Sequence, residues 1–135
     1  GIHTRGAYLG ARIHKLLCEV GGCAYAAGNL DISFYRDDVA ARGAVLFTQS
    51  INGAPPCAGC HPTGEARGQG PGLGSYRQVA GSRVAGESAE VYTLYSIIQP
   101  SRHVVRGFSN IMYNTYQERL GPQDIADLIA YLLTL

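Results

Sequence analysis

Residues 50–86 hold nine glycines and four prolines but few large apolar side chains, and this stretch limits the fold more than any other. Gly and Pro interrupt helices and strands alike, so the stretch reads as loops. Loops this long cannot hold themselves together against backbone entropy. The chain has 135 residues, enough for one domain, with 46% hydrophobic and 16% charged residues. That apolar share excludes a disordered chain. A large bound apolar body would supply the core that the loops lack. The low charged share adds that part of the surface is covered by a cofactor, a partner or both.

Helical periodicity flanks the loops, and it predicts an all-α class with no strand pattern and no repeat. Leu9, Ile13, Leu16, Leu17 and Val20 lie on one helical face, with Thr4 as an N-cap and Gly21-Gly22 as the stop. A second helix opens at Asp37 or Asp38, where acids suit the positive end of the helix dipole, and runs to about Gln49. Val39, Gly43, Leu46 and Phe47 share its face. Ser88 caps a third helix through Ile98, with Val91, Leu94, Tyr95 and Ile98 aligned and Pro100 ending it. Pro122 opens the last helix, with Asp124 and Asp127 near its start. Ile125, Leu128, Ile129, Leu132 and Leu133 form its apolar stripe.

Within the loops, Cys57-Ala58-Gly59-Cys60-His61 is a C-x-x-C-H sequence, the attachment signature for c-type haem. Two thiols one turn apart can add to two vinyl groups on one porphyrin edge. The adjacent His61 then lies under the iron as its proximal ligand. A thiol-exchange pair would want a preceding strand and a helix opening inside the motif, whereas Pro55-Pro56 precede it and Pro62 follows. A zinc site needs four ligands, and no second pair of that spacing is nearby. Gly68, Gly70, Gly72 and Gly74 fit neither G-x-G-x-x-G nor G-x-x-x-x-G-K-[ST] and read as a tight loop near the haem. For the sixth iron position the chain offers one methionine, Met112, between the third and last helices, with His103 as the runner-up. A lone Met is also ordinary core filler, and His103 is also an ordinary surface or propionate-paired histidine.

Residues 41–135 resemble a class I cytochrome c. Gly43-Ala44-Val45-Leu46-Phe47 is similar to that family's first helix, whose Gly and aromatic residue let the last helix cross closely. Gly70-Pro71-Gly72-Leu73 resembles its G-P-x-L segment, whose Pro carbonyl accepts a hydrogen bond from the proximal His. Phe108 to Tyr116 resembles the loop that carries the Met ligand, with Tyr113 where the family usually has Pro. Asp124 to Leu132 resembles the closing helix, with Tyr131 crossing near Gly43. The resemblance implies three to five helices around one haem c held covalently by Cys57 and Cys60, with His61 and Met112 as axial ligands. It further implies that Pro71 orients His61 and that Arg83, with Arg77 as the alternative, pairs with a haem propionate.

Residues 1–40 fall outside the resemblance and read as an N-terminal helical extension that packs on its own domain or docks elsewhere. Cys18 and Cys23 in it read as a local disulfide, with buried free thiols as the alternative. Val20-Gly21-Gly22-Cys23 faintly resembles a lipoprotein cleavage site, but Glu19 and the missing apolar run before it argue against that.

A net charge of +1 disfavours nucleic acid as a partner, and no run of 18 apolar residues predicts a transmembrane segment. Lys15 is the only lysine, so the lysine ring that often docks a shuttle on an acidic partner is missing. The resemblance therefore implies one-electron transfer to redox partner proteins rather than enzyme activity of its own. The lean is towards a subunit of a membrane respiratory or photosynthetic complex. Candidates are the monohaem subunit of bacterial alternative complex III and a cytochrome associated with a terminal oxidase. The implied location is the periplasm or the extracytoplasmic face of the membrane. Two other readings stand beside it: a soluble periplasmic shuttle, and a five-coordinate haem protein with peroxidase or gas-binding activity.

Overall fold

The computed structural model describes residues 37–135. The helix expected around residues 9–20 and the Cys18–Cys23 pair lie outside the described residues.

The described residues form five α-helices: α1 (Asp37–Phe47), α2 (Tyr76–Ala80), α3 (Ala89–Ile98), α4 (Tyr116–Arg119) and α5 (Pro122–Leu132). Among them the only extended pairing is an isolated bridge between Ile51 and Ala54. That bridge closes a tight turn at Asn52 and Gly53, both of which have positive φ (51° and 85°). Asn and Gly tolerate such values best.

The framework is the crossing of α1 and α5. Val39, Gly43 and Phe47 are the buried residues of α1. Gly43 has no alternative there: a Cβ would lie 1.9 Å from the Asp127 carbonyl oxygen and 2.7 Å from the Tyr131 Cβ. The approach lets the Phe47 and Tyr131 rings meet at 5.4 Å with a 59° tilt. Beside it Asp127, only 3% exposed, accepts hydrogen bonds from Arg42 Nε (3.0 Å) and Gln123 Nε2 (2.9 Å). A buried carboxylate needs such partners to offset its desolvation. At the start of α5, Pro122 occupies the first turn and the Asp124 carboxylate accepts from the Gly121 amide at 3.0 Å.

Helix α3 begins where Ser88 accepts from the Val91 amide at 3.2 Å, and Pro100 follows its end. Its buried residues are Val91, Tyr92, Thr93, Leu94, Ile97 and Ile98. Tyr95, expected on the buried face, is only half-buried and lies under the Arg102 guanidinium, 3.6 Å from its ring centroid. Two sides of α3 are covered instead of one, which a single apolar stripe cannot express.

Helix α2 corrects the expectation of loop throughout residues 50–86, α4 adds a short helix before the last one, and α1 stops at Phe47 instead of Gln49. Both short helices are held by tyrosines rather than by intrinsic propensity. In α2 the buried Tyr76 hydroxyl meets Thr93 Oγ1 at 2.7 Å. In α4 the Tyr116 hydroxyl donates to the Pro55 carbonyl at 2.7 Å. No helix among the described residues is long and apolar enough to cross a membrane.

Replacing Gly43 by Ala forces α1 and α5 apart and should cost about 2–3 kcal/mol of stability. Urea unfolding of the haem-loaded protein checks this.

Candidate haem site

Around the Cys57–His61 motif the chain encloses a cavity of about 340 Å³. Its wall is drawn from the loop after α1, the glycine-rich loop, α3 and the segment leading to α4, with Phe47, Leu128 and Leu132 from the framework helices. Cys57, Cys60, His61, Pro71, Arg83, Met112 and His103 all line it. Arg77, the alternative to Arg83, is exposed and outside the lining; its amide donates to the Leu135 carbonyl at 2.9 Å.

Cys57–Gly59 form a single 3-10 turn. The Cys60 and His61 amides both donate to the Cys57 carbonyl, at 3.1 and 3.0 Å. This turn presents both sulfurs and the imidazole to one cavity. Burial pushes the Cys57 thiol up, the opposite of the shift thiol exchange requires. Among the described residues no group of three or more His, Cys, Asp or Glu side chains is gathered as a zinc set.

His61 Nδ1 lies 2.9 Å from the Pro71 carbonyl oxygen. A carbonyl only accepts, so Nδ1 carries the proton and Nε2 keeps its lone pair for a metal. The glycines make this contact possible. A Cβ on Gly70 would fall 2.5 Å from His61 Cε1, and one on Gly72 would fall 2.3 Å from the Ala66 carbonyl oxygen. The loop is pinned by the Gly70 amide on the Cys60 carbonyl (2.9 Å) and the Leu73 amide on the Pro62 carbonyl (2.8 Å).

The cavity fits a haem: its lining is largely apolar and aromatic, two thiols sit at one edge, and one histidine is held in the metal-binding tautomer. Arg83 is half-buried, and its NH1 donates to the Tyr92 hydroxyl at 3.4 Å. Met112 is half-buried against the core, whereas His103 is exposed with its ring 5.7 Å from that of Tyr92.

Tyr113, in the position where proline was expected, lines the cavity and meets Tyr116 edge-on at 4.8 Å. Sequence reasoning placed Phe108 and Tyr116 in the loop over the haem but missed Tyr76, Tyr92, Thr93 and Ser96 as lining residues. For α3 the signal was present, since Tyr92, Thr93, Ser96 and Ile97 repeat at i, i+1, i+4 and i+5.

The cytochrome c family matches residues 40–135, and the chain belongs to that family. It therefore binds haem c covalently through Cys57 and Cys60 and serves haem-based electron transfer. A separate likeness is to the bifunctional protein PyrR. The chain is 49% identical over 39 residues to that of Listeria monocytogenes serotype 4a, covering 29% of this chain and 21% of that protein. It is 45% identical over 38 residues to that of Desulfosudis oleivorans, covering 28% and 21%. The chain thus spans about a fifth of the length of these curated relatives. No solved structure matches the chain.

Wild-type chain should keep its haem colour after denaturation and acid–acetone extraction. The double variant Cys57→Ser/Cys60→Ser should lose all of it, and each single variant should retain one thioether by mass spectrometry.

Proposed function

We propose that this protein carries single electrons through a haem ligated by His61 and Met112. The observation that carries the reading is that these two side chains line one apolar cavity, with His61 already fixed in its ligating tautomer. When bound, the haem supplies an iron that cycles between ferric and ferrous states. The Pro71 carbonyl accepts a hydrogen bond from Nδ1–H of His61, which locks the ring orientation and raises the basicity of Nε2. The Met112 thioether would be the second protein ligand to the iron, which would raise the potential and leave no site for substrate. The apolar wall keeps water away and limits reorganisation. Arg83, on the wall beside Tyr92, is the cation we assign to a propionate carboxylate.

We further propose that the carrier works as a fixed subunit of an extracytoplasmic membrane complex, such as alternative complex III or a terminal-oxidase assembly. Val104 and Ile111 line the cavity yet stay 36% and 63% exposed, so its mouth is edged by apolar side chains. Between Cys57 and Asn110, Arg67, Arg77, Arg83, Arg102 and Arg106 face Glu65, Glu87 and Glu90, an excess of two that two propionates offset. Weak electrostatic steering and an apolar rim suit a standing contact better than repeated diffusional capture.

We take the haem domain to open with α1 at Asp37 rather than at residue 41, because Val39 is fully buried in its core, and the residues before it as the N-terminal extension. The family match begins at residue 40, inside α1. The likeness to PyrR covers a fifth of that protein and carries no activity over to this chain.

Met112→Ala should turn a ferrous protein that resists carbon monoxide into one that binds it rapidly and fully. Flash photolysis or stopped-flow spectroscopy reads the change. Rapid, complete binding by wild type would replace the carrier with a five-coordinate haem protein. Salt washing of native membranes separates the two settings: a subunit stays and co-migrates with a large complex, whereas a shuttle washes off.

A further inference from the structure

The two loops that face each other across the cavity are joined by one side chain that haem attachment does not require. Arg67 sits in the glycine-rich loop that carries Pro71. The backbone around it is rigid: the Gly68 amide donates to the Gly70 carbonyl at 3.1 Å, and a Cβ on Gly68 would fall 2.6 Å from the Cys60 carbonyl oxygen. From this anchored position the guanidinium reaches the segment that carries Met112. There Arg67 NH2 donates to the Gly107 carbonyl, and its Cζ lies 4.1 Å from the centroid of the Phe108 ring.

The receiving end is shaped for the contact. Gly107 has φ +91°, which turns the chain there at a conformation other residues rarely adopt. The Phe108 amide closes that turn on the Val105 carbonyl at 3.1 Å. Phe108 is half-buried and lines the cavity, whereas Arg67 is exposed and lies outside the lining. Met112 follows four residues later, after an irregular stretch in which Ile111 is 63% exposed.

We propose that Arg67 is a positioning residue that clips the methionine-bearing segment to the histidine-bearing loop and so holds Met112 on the iron. The proposal rests on the reading of Met112 as the axial ligand. A charge-assisted hydrogen bond and a cation–π contact act on one hinge point, next to the segment that must swing for the thioether to leave. Arg suits this role better than Lys, because its planar fork can stack on Phe108 and donate to Gly107 together.

The test uses the ferric, haem-loaded protein and imidazole as the probe that displaces a thioether. Arg67→Ala should bind imidazole about fivefold to tenfold more tightly than wild type. The far-red charge-transfer band of sulfur on ferric haem should weaken in parallel. Arg67→Lys, which keeps a donor but not the stack, should fall between, and Phe108→Leu should resemble Arg67→Ala. Arg77→Ala, which removes an exposed arginine outside the cavity lining, should leave both readouts unchanged.

Unchanged imidazole affinity in Arg67→Ala, with the sulfur band present in wild type, overturns the clip and leaves Met112 as ligand. A lowered urea midpoint with unchanged imidazole affinity makes Arg67 merely structural and overturns it too. A wild type without the sulfur band removes Met112 as ligand, and the clip falls with it.

Discussion

The cavity between His61 and Met112 has to be filled by something apolar, and most of the fold follows from that requirement. The α1–α5 crossing is the part that packs on itself, through Gly43, Phe47 and Tyr131. The elements around the cavity turn side chains towards a space of about 340 Å³ rather than towards one another. The haem is therefore a structural element as well as a redox centre. Its apolar faces supply the burial that residues 50–86 lack, and its covalent attachment keeps that core in place.

The same arrangement explains how a flexible composition yields a rigid site. Gly68, Gly70 and Gly72 each sit where a Cβ would strike either the imidazole or a neighbouring carbonyl. The loop is thus defined by close approach, and its amides are spent on Cys60, Pro62 and Gly64 carbonyls. One outcome of that packing is chemical: the Pro71 carbonyl reaches His61 Nδ1 and selects the tautomer that can ligate iron. Arg67 extends the effect across the cavity mouth to Gly107 and Phe108.

Features with a covalent or periodic cause were legible in the sequence. Cys57, Cys60 and His61 carry a spacing imposed by porphyrin chemistry, and the stripe of α5 follows from one buried face. The cap at Ser88 could be read because its hydrogen bond is local. Helices α2 and α4 could not, because they depend on Tyr76 meeting Thr93 and Tyr116 meeting Pro55, contacts made only after folding. The second buried side of α3 was hidden for a related reason. Periodicity assumes that a helix has one core to face, and α3 has the protein on one side and the cavity on the other.

The most direct test of the central claim is proton NMR of the reduced, diamagnetic protein. With Met112 over the iron, its methyl group lies in the haem ring current and should appear as a three-proton signal far upfield of all ordinary methyls. The His61 Nδ1 proton, held by Pro71, should exchange slowly with solvent. A Met112 methyl at its ordinary position, together with a rapidly exchanging His61 proton, would contradict the account.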